Sequence, residues 1–416
     1  MTARFTRTQY SPGLFDVTQD IVGALPIKLI EQWLQSEQTL AAALRLLASS
    51  RVLGYNVVSD SAGLTRLTQE RGLMEILAMI NQPKEIIHQL GTAIGGRGIG
   101  IWAADNTQMF YPDEVDASAL VSALLTIQDA VRERCAVEIG LAAHHGEFYA
   151  VSGGMYGEAS EAIEAIAENE TVGGEVVITR AIAERLPPGH GFVLAARDDP
   201  HGPLGQTWRV CDGPRSTVRA AAGGEYPIPY SREFHADLVA FAGRLDDARL
   251  ARAMGEKYTL QRVVVLIERA SEAADSHEVA LFNNLALSAM MKDAGLRHLN
   301  EEHGVEVKVA GPIGIYTFED PALALGFAET FRRELAREGI EVRIGVDAGP
   351  VVVFALAGGG MDIAGGPVNI ASKLAQDCGA WGKLYLGERL RELALARGFR
   401  AVQFAVSGVE IAAFEG

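Results

Sequence analysis

Cysteine is scarce, with three in 416 residues, Cys135, Cys211 and Cys378, far apart along the chain. That excludes a disulfide framework and a clustered thiolate zinc site, and makes a reducing compartment the expected one. Long apolar runs are missing too. Nothing approaches the roughly 20 consecutive apolar residues of a membrane span, and the N-terminus has no apolar signal core, so a cytoplasmic protein with no membrane partner is expected. Positive charge is short: 37 Lys and Arg stand against 53 Asp and Glu, for a net charge of −16, and no basic cluster interrupts that balance. Nonspecific binding to nucleic acid is thereby disfavoured, and an anionic substrate would need metal ions between itself and the protein. What is plentiful is apolar residues, 48% of the chain, enough for packed cores in two or perhaps three domains.

Helical and strand periods alternate along the chain. Residues 14 to 50 read as helix with Pro26 near its start, followed by a strand at Arg51 to Asp60 and a helical stretch from Ser61 to Ile80. RGIGIWAAD and NTQMFYPD read as two strands joined at Ala104-Asp105-Asn106, a tight turn that presents Asp105. A helix at Ala117 to Arg134, the strands VEIGLAAHHG and EFYAVS, the acidic helix GEASEAIEAIAE and the strands EVVIT, GFVLAAR and TWRVCD complete a mixed α/β pattern. Residues 214 to 230 are rich in Gly, Pro and small side chains and read as a linker. Beyond the helical run Ala236 to Gly255 the order of elements repeats: Glu268 falls opposite Asp60, Pro312 opposite Asp105, Gly345 opposite Gly140 and Gly365 opposite Gly157. The offset stays at about 205 to 208 residues, which argues for tandem duplication. The expected division is a helical segment at 1–50, a first domain at 51–213, a linker and helix at 214–256, and a second domain at 257–416.

The most informative stretch is MDIAGGPVNIASK, Met361 to Lys373. Two glycines lead into Pro367, which suits a first helical turn because its missing N–H costs nothing there. Asn369 and Lys373, four apart, share one face of that helix, and Ile370 and Leu374 line an apolar neighbouring face. Asp362 ends the strand-like run before it. In the first half, Ser59 to Leu67 places Asp60 at a strand end ahead of a small-residue turn, Ser61-Ala62-Gly63-Leu64-Thr65. Such a turn can bind a metal through its Asp while its N–H groups cradle phosphate, although an Asp there can equally cap the helix. His144 and His145, adjacent on a strand, point to opposite faces and are read as structural.

The spacing Asp-x-x-Gly-x-x-Val-Asn-x-Ala-Ser-basic, preceded by VRIGVDAGPVV, resembles the signature of the class III nucleotide cyclases, and Ser59 to Leu67 resembles their metal-and-phosphate turn. The resemblance implies an α/β (α+β) fold of two tandem class III cyclase-like, ferredoxin-like (palm) domains packed head-to-tail as a pseudo-heterodimer. It further implies an adenylate cyclase that converts ATP to cyclic AMP and pyrophosphate. In that reading Asp60 and Asp105 hold two Mg²⁺ ions, with Mn²⁺ as an alternative, and Ser61, Ala62, Gly63, Leu64 and Thr65 form the phosphate turn. Lys308 and Asp362 read adenine, Asn369 orients the ribose, and Lys373 stabilises charge on the α-phosphoryl oxygens. The halves have lost complementary sets: Pro312 and Glu268 replace the metal carboxylates in the second, while the first has Ile101, Gly154, Glu161 and Ala165 against Lys308, Asp362, Asn369 and Lys373. One composite site is implied, with a degenerate second cleft left for a small-molecule or protein regulator.

This sequence departs from the family pattern at three places. Lys373 stands where the family has Arg, Glu138 where many relatives have a phosphate-gripping Arg, and the tail FAVSGVEIAAFEG lacks the usual basic residues. Those departures define the competing reading, a catalytically inactive nucleotide-binding or regulatory interaction module of the same fold. Product formation from ATP separates the two.

Overall fold

The computed structural model describes residues 25–62, 72–100, 102, 107–151, 153–198, 202–219, 230–300, 303–356, 360–406 and 409–416. One compact unit comprises 47–252; the other joins 25–46 to 253–416. The first unit holds β1 (Arg51–Ser61), β2 (Arg97–Ile99), β3 (Thr107–Pro112), β4 (Ile139–Val151), β5 (Gly154–Tyr156), β6 (Val176–Thr179), β7 (Val193–Ala196) and β8 (Thr207–Asp212). They form one eight-stranded sheet in the order β2-β3-β1-β4-β6-β8-β7, with β5 paired to β4. The second unit repeats it with β9 (Thr259–Arg269), β10 (Gly304–Ala310), β11 (Ile313–Phe318), β12 (Val342–Ala355), β13 (Met361–Ala364), β14 (Leu384–Gly387), β15 (Arg400–Val406) and β16 (Val409–Glu415). Its order is β10-β11-β9-β12-β14-β16-β15, with β13 on β12. In both, the first four strands follow the ferredoxin-like order, and the antiparallel ladder puts the first strand between the third and the fourth.

Twelve helices are described: α1 (Ile27–Gln35), α2 (Leu40–Leu47), α3 (Leu73–Ala93), α4 (Ala117–Arg134), α5 (Glu158–Glu170), α6 (Arg180–Ala183), α7 (Arg232–Ala242), α8 (Ala248–Tyr258), α9 (His277–His298), α10 (Pro321–Arg337), α11 (Gly366–Ser372) and α12 (Arg391–Ala396). β1 is buried almost continuously rather than alternately because both faces of its sheet are covered. Tyr55 and Val57 face Leu120 and Leu124 of α4, whereas Val58 and Ala142 face Ile163 and Ile166 of α5. The second half uses the same two faces, with Val265 and Ile267 against Met291 of α9 and Phe327 of α10, and Leu266 against Ala371 of α11.

Several elements differ from the sequence reading. The stretches VEIGLAAHHG and EFYAVS form one strand, β4, because Gly146 stays in the ladder opposite Gly54 of β1. VRIGVDAGPVV, which the family resemblance implies to be a strand pair, is part of a single strand, β12, with Pro350 kept in register opposite Gln261. The ladders also shift one equivalence: Asp60 pairs with Gly140 while Glu268 pairs with Arg343, so Arg343 and not Gly345 is the counterpart of Gly140. The helix expected over residues 14 to 50 is two, α1 and α2, within its described part.

Candidate functional site

Lys308 and Asp362 come together in the second half. The β10–β11 ladder pairs Glu306 with Tyr316 and Lys308 with Ile315, so Val307 is an extra residue and the strand bulges there. Beyond the bulge, Lys308 Nζ lies 2.8 Å from Asp362 Oδ2 on β13. Asp362 Oδ1 accepts the Ile363 N–H at 2.8 Å, and the residue is only 5% exposed. Lys308 keeps 42% of its side chain exposed. A buried carboxylate is thus compensated by a charge-assisted bond to an ammonium that stays at the surface. The pair offers one donor and one acceptor side by side.

Next to it, β13 turns directly into α11. Gly365 makes this possible: its φ of 147° is open to glycine and strained for other residues. The helix begins at Gly366, with Pro367 in its first turn, one position later than the sequence reading placed it. α11 lies very close to β12, since a Cβ on Gly345 would meet the Ala371 carbonyl oxygen at 2.1 Å. Asn369 is on the exposed side of this helix, while Leu374 and Ala375 are buried. At Lys373 the winding loosens: the Cys378 N–H bonds back five residues to the Lys373 carbonyl at 2.9 Å, a π-turn of the kind often found at functional sites. The Lys373 ammonium stands 3.8 Å from Asp377 Oδ2, a half-exposed carboxylate one turn on. A screened pair of this type is worth well under about 1 kcal/mol, so a stronger anion can draw Lys373 away. If Lys373 meets phosphate as the resemblance implies, Lys373→Arg is expected to retain or raise nucleotide turnover, because a guanidinium grips two phosphoryl oxygens where an ammonium acts as a point charge. Loss of turnover with an unchanged melting temperature would count against a phosphate role.

The first half presents Asp60 near the end of β1, part-exposed and opposite Gly140 in the ladder. Ser61 behind it is 7% exposed, and the Ala62 N–H donates to the Glu138 carbonyl at 2.9 Å, closing the edge of the turn. Gly63, Leu64 and Thr65, the rest of the expected phosphate turn, lie outside the described residues, as does Asp105, the second expected metal ligand. β3 begins two residues after it at Thr107, whose hydroxyl lies 2.6 Å from that of Ser59. Among the described residues no group of three or more His, Cys, Asp or Glu side chains converges on a metal position. The donor set nonetheless suits Mg²⁺, a hard ion that takes one or two carboxylates and fills its shell with water and phosphate oxygens.

At the same end of the second sheet the chemistry is reversed. Glu268, the counterpart of Asp60, is engaged by Arg343 through Nε–Oε2 at 2.6 Å. Arg343 also donates Nη1 to the Gly379 carbonyl at 3.1 Å, and its guanidinium lies over Trp381 at 4.5 Å. Both side chains of the pair are mostly buried. Arg269, where the first half has Ser61, is 1% exposed and donates to Asn284 and Ser288, and burial pushes its guanidinium down to about 10. Two arginines therefore occupy the end of the second sheet that corresponds to Asp60 and Ser61 in the first. The β9–β12 register, which sets Arg343 across from Glu268, is what makes it a buried partner.

The counterparts in the first half are equally clear. Gly154 pairs with Val151 as Asp362 pairs with Phe354, and Glu161 and Ala165 follow Gly157 as Asn369 and Lys373 follow Gly365. The counterpart of Lys308 differs from the sequence reading: it is Ile99, which pairs with Gln108 as Lys308 pairs with Ile315, because eight residues separate the first pair along the chain and six the second. Ile101 lies outside the described residues. The two histidines are structural, with His144 Nδ1 at 2.9 Å from the Thr179 hydroxyl and His145 Nε2 at 2.7 Å from Asp113.

The chain matches no family model, and no curated protein matches it in sequence. Among solved structures it is similar to class III cyclases and their relatives. A class III adenylyl cyclase-like ATP-binding protein from Pseudomonas aeruginosa is 12% identical, with a TM-score of 0.49 over 82% of this chain and 85% of that one. An adenylate/guanylate cyclase/hydrolase from Silicibacter pomeroyi is 20% identical over 38% of this chain and 96% of that one, with a TM-score of 0.31. The adenylyl cyclase CyaB from P. aeruginosa is 18% identical over 38% and 93%, with a TM-score of 0.30.

Proposed function

We propose that this protein is an adenylate cyclase whose single active site takes its metal ligands from the first half and its base- and phosphate-binding groups from the second. The observation that carries the reading is the Lys308–Asp362 pair, 2.8 Å apart beside the helix that bears Asn369 and Lys373. It is supported by the complementary losses, since the second half fills its metal end with Arg343 and Arg269 and the first half has Ile99, Gly154, Glu161 and Ala165 at the other positions. The two halves would pair head-to-tail as a pseudo-heterodimer. The cytoplasm, which supplies ATP, is the compartment this reading requires.

In the reaction the ribose 3′-oxygen attacks the α-phosphorus, the bond to the bridging oxygen of pyrophosphate breaks, and the hydroxyl proton passes to solvent. Asp60 and Asp105 would hold two Mg²⁺ ions, which when bound acidify that hydroxyl and neutralise the leaving group. Of the expected phosphate turn, Gly63, Leu64 and Thr65 would offer their N–H groups to the phosphates, since the Ala62 N–H is taken by the Glu138 carbonyl and Ser61 ends β1. Asn369 holds the ribose so that the 3′-oxygen faces phosphorus, an orientation term that needs no chemistry of its own. Lys373 leaves Asp377 for the α-phosphoryl oxygens as their charge grows. Lys308 donates to adenine N1 while Asp362 accepts from the amino group, which separates the ion pair and replaces it with two directed bonds.

ATP is therefore expected to be preferred over GTP. Guanine presents a donor to Lys308 and an acceptor to Asp362, and leaving the buried Asp362 unpaired costs about 1 to 3 kcal/mol. The purified chain incubated with ATP or GTP and Mg²⁺ or Mn²⁺, with mass analysis of the products, tests both activity and base choice; equal rates with the two nucleotides would remove the adenine assignment. One observation favours the second reading, an inactive nucleotide-binding module: Lys373 already has a partner in Asp377. Nucleotide-dependent thermal stabilisation without any cyclic product would select it.

A further inference from the structure

A cavity of about 190 Å³ opens within the first half, between the β2–β3 edge and α5. Val58, Ile99 and Trp102 are its apolar walls, and Gln108, Glu164 and Glu168 supply its polar groups. The wall is fixed in place: Trp102 Nε1 donates to the Ile99 carbonyl at 2.9 Å, and the buried Lys84 donates to the Trp102 carbonyl at 2.6 Å. The polar side is almost entirely acceptor. Gln108 Nε2 and Ser160 Oγ each donate to Glu164 Oε1 at 2.9 Å, so these donors are already used within the wall. Glu164 Oε2 and Gln108 Oε1 accept no hydrogen bond among the described residues. Behind them the fully buried Asn56 donates Nδ2 to Ser160 Oγ at 3.1 Å and leaves its own Oδ1 without a partner. Among the described residues no lining side chain carries a positive charge. In the second half the ladder position of Ile99 is held by Lys308, whose ammonium satisfies a carboxylate; here that ammonium is missing.

We propose that this cavity binds a small organic cation, an alkylammonium or alkylguanidinium, whose N–H groups reach Glu164 Oε2 and Gln108 Oε1 while its carbon chain lies against Val58, Ile99 and Trp102. A volume of this order holds roughly six to eight non-hydrogen atoms. Anions are repelled by the Glu164 carboxylate, and neutral acceptors leave Glu164 Oε2 and Gln108 Oε1 unpaired. The apolar walls favour a cation with a carbon chain over a hydrated metal ion, and Trp102 adds a surface suited to weakly hydrated charge.

Binding is coupled to a proton. Burial pushes the Glu164 carboxyl up to about 7, against the bonds from Ser160 and Gln108, and Glu168 and Glu161 push in the same direction as burial. Of the other groups packed around it, Tyr156 on β5 stays neutral, burial and Glu164 both raising its hydroxyl, and Lys84 faces the Trp102 carbonyl. A cation needs the ionised carboxylate, so affinity is full above the Glu164 value and declines as pH falls through it, by about tenfold between pH 8 and pH 6.

The inference stands apart from the cyclase reading, and its test involves no nucleotide. Titration calorimetry of the full chain with n-butylammonium and n-butylguanidinium chloride at millimolar concentration is expected to show binding that weakens with that pH profile. Glu164→Gln keeps the acceptor for Ser160 and Gln108 but removes the charge, and should weaken binding about tenfold to a hundredfold. Ile99→Lys, which places an ammonium on the wall, should abolish it. No binding of either cation, equal binding of n-butanol, unchanged affinity in the folded Glu164→Gln protein, or binding of Mg²⁺ in place of the organic cations would overturn the proposal.

Discussion

Asp60→Ala is expected to lower cyclic AMP formation by about a thousandfold or more, while Glu268→Ala, the matching change in the second half, leaves it nearly unchanged. The first carboxylate stands part-exposed near the end of β1. On the proposed reading its loss would remove a ligand of the metals that would acidify the nucleophile and neutralise the leaving group, each worth several kcal/mol, with about 1.4 kcal/mol for every tenfold in rate. Glu268 is held by Arg343 at 2.6 Å, and a carboxylate neutralised by a guanidinium has little left for a divalent ion. Because Glu268→Ala strands Arg343 in a mostly buried place, Glu268→Gln serves as the milder companion, and both are assayed below their measured melting temperatures. Turnover that survives loss of Asp60, or falls as far with Glu268→Gln, would show that the metal ligands are wrongly placed.

The asymmetry behind that prediction is legible in the sequence because it rests on residue types: proline cannot ligate, alanine carries no charge, and a fixed offset finds the counterparts. What the offset cannot find is a change of register. A connection two residues shorter between the paired strands shifts the partner of Lys308 from Ile101 to Ile99, eight residues lying between Ile99 and Gln108 and six between Lys308 and Ile315, and the bulge at Val307 leaves no mark in the plain alternation of VEVKVA. The pairing of Arg343 with Glu268 is hidden for a related reason: it joins residues 75 apart on neighbouring strands, and only the β9–β12 ladder sets them side by side. Strand ends are hard to read when a strand is covered on both faces. β4 and β12 run straight through His144-His145-Gly146 and Ala348-Gly349-Pro350, where polar and turn-forming residues argue for breaks, because partners on both sides keep the ladder intact. Close approach explains Gly345, whose place against Ala371 fixes α11 and with it Asn369; from sequence a glycine there reads only as a gap in a strand.

Trp33→Ala is expected to destabilise the second half by about 3 to 5 kcal/mol, the range for truncating a buried aromatic side chain. From sequence the N-terminal residues form a segment ahead of the first half, yet α1 packs within the unit that contains 253–416. Ile27 and Ile30 bury themselves against Leu285, Ala286 and Ala289 of α9. Trp33, 0% exposed, stacks on Phe282 with ring centroids 4.8 Å apart and donates Nε1 to Asn283 Oδ1 at 3.2 Å. The chain then leaves the helix because Ser36 Oγ donates to the Trp33 carbonyl and accepts the Gln38 N–H, side-chain bonds that compete with another helical turn. Gln38 takes a φ of 52° in that break, and Thr39 Oγ1 accepts the Ala42 N–H as α2 begins. Trp33→Phe keeps the stacking and loses only the bond to Asn283, so its cost should be nearer 1 to 2 kcal/mol, about the penalty for one buried acceptor left unpaired. Hydrogen exchange read peptide by peptide locates the effect: protection should fall over 277–298 and stay unchanged over 51–61. A loss below about 1 kcal/mol, or one confined to the first half, would mean that α1 does not hold α9 in place. The same contact governs any attempt to divide the protein, since a fragment beginning at residue 225 lacks α1 and exposes the α9 face it covers. Mixed with residues 1–213 it should regain cyclase activity only if Trp33 is intact, a dependence that would be absent if the halves associated without this helix.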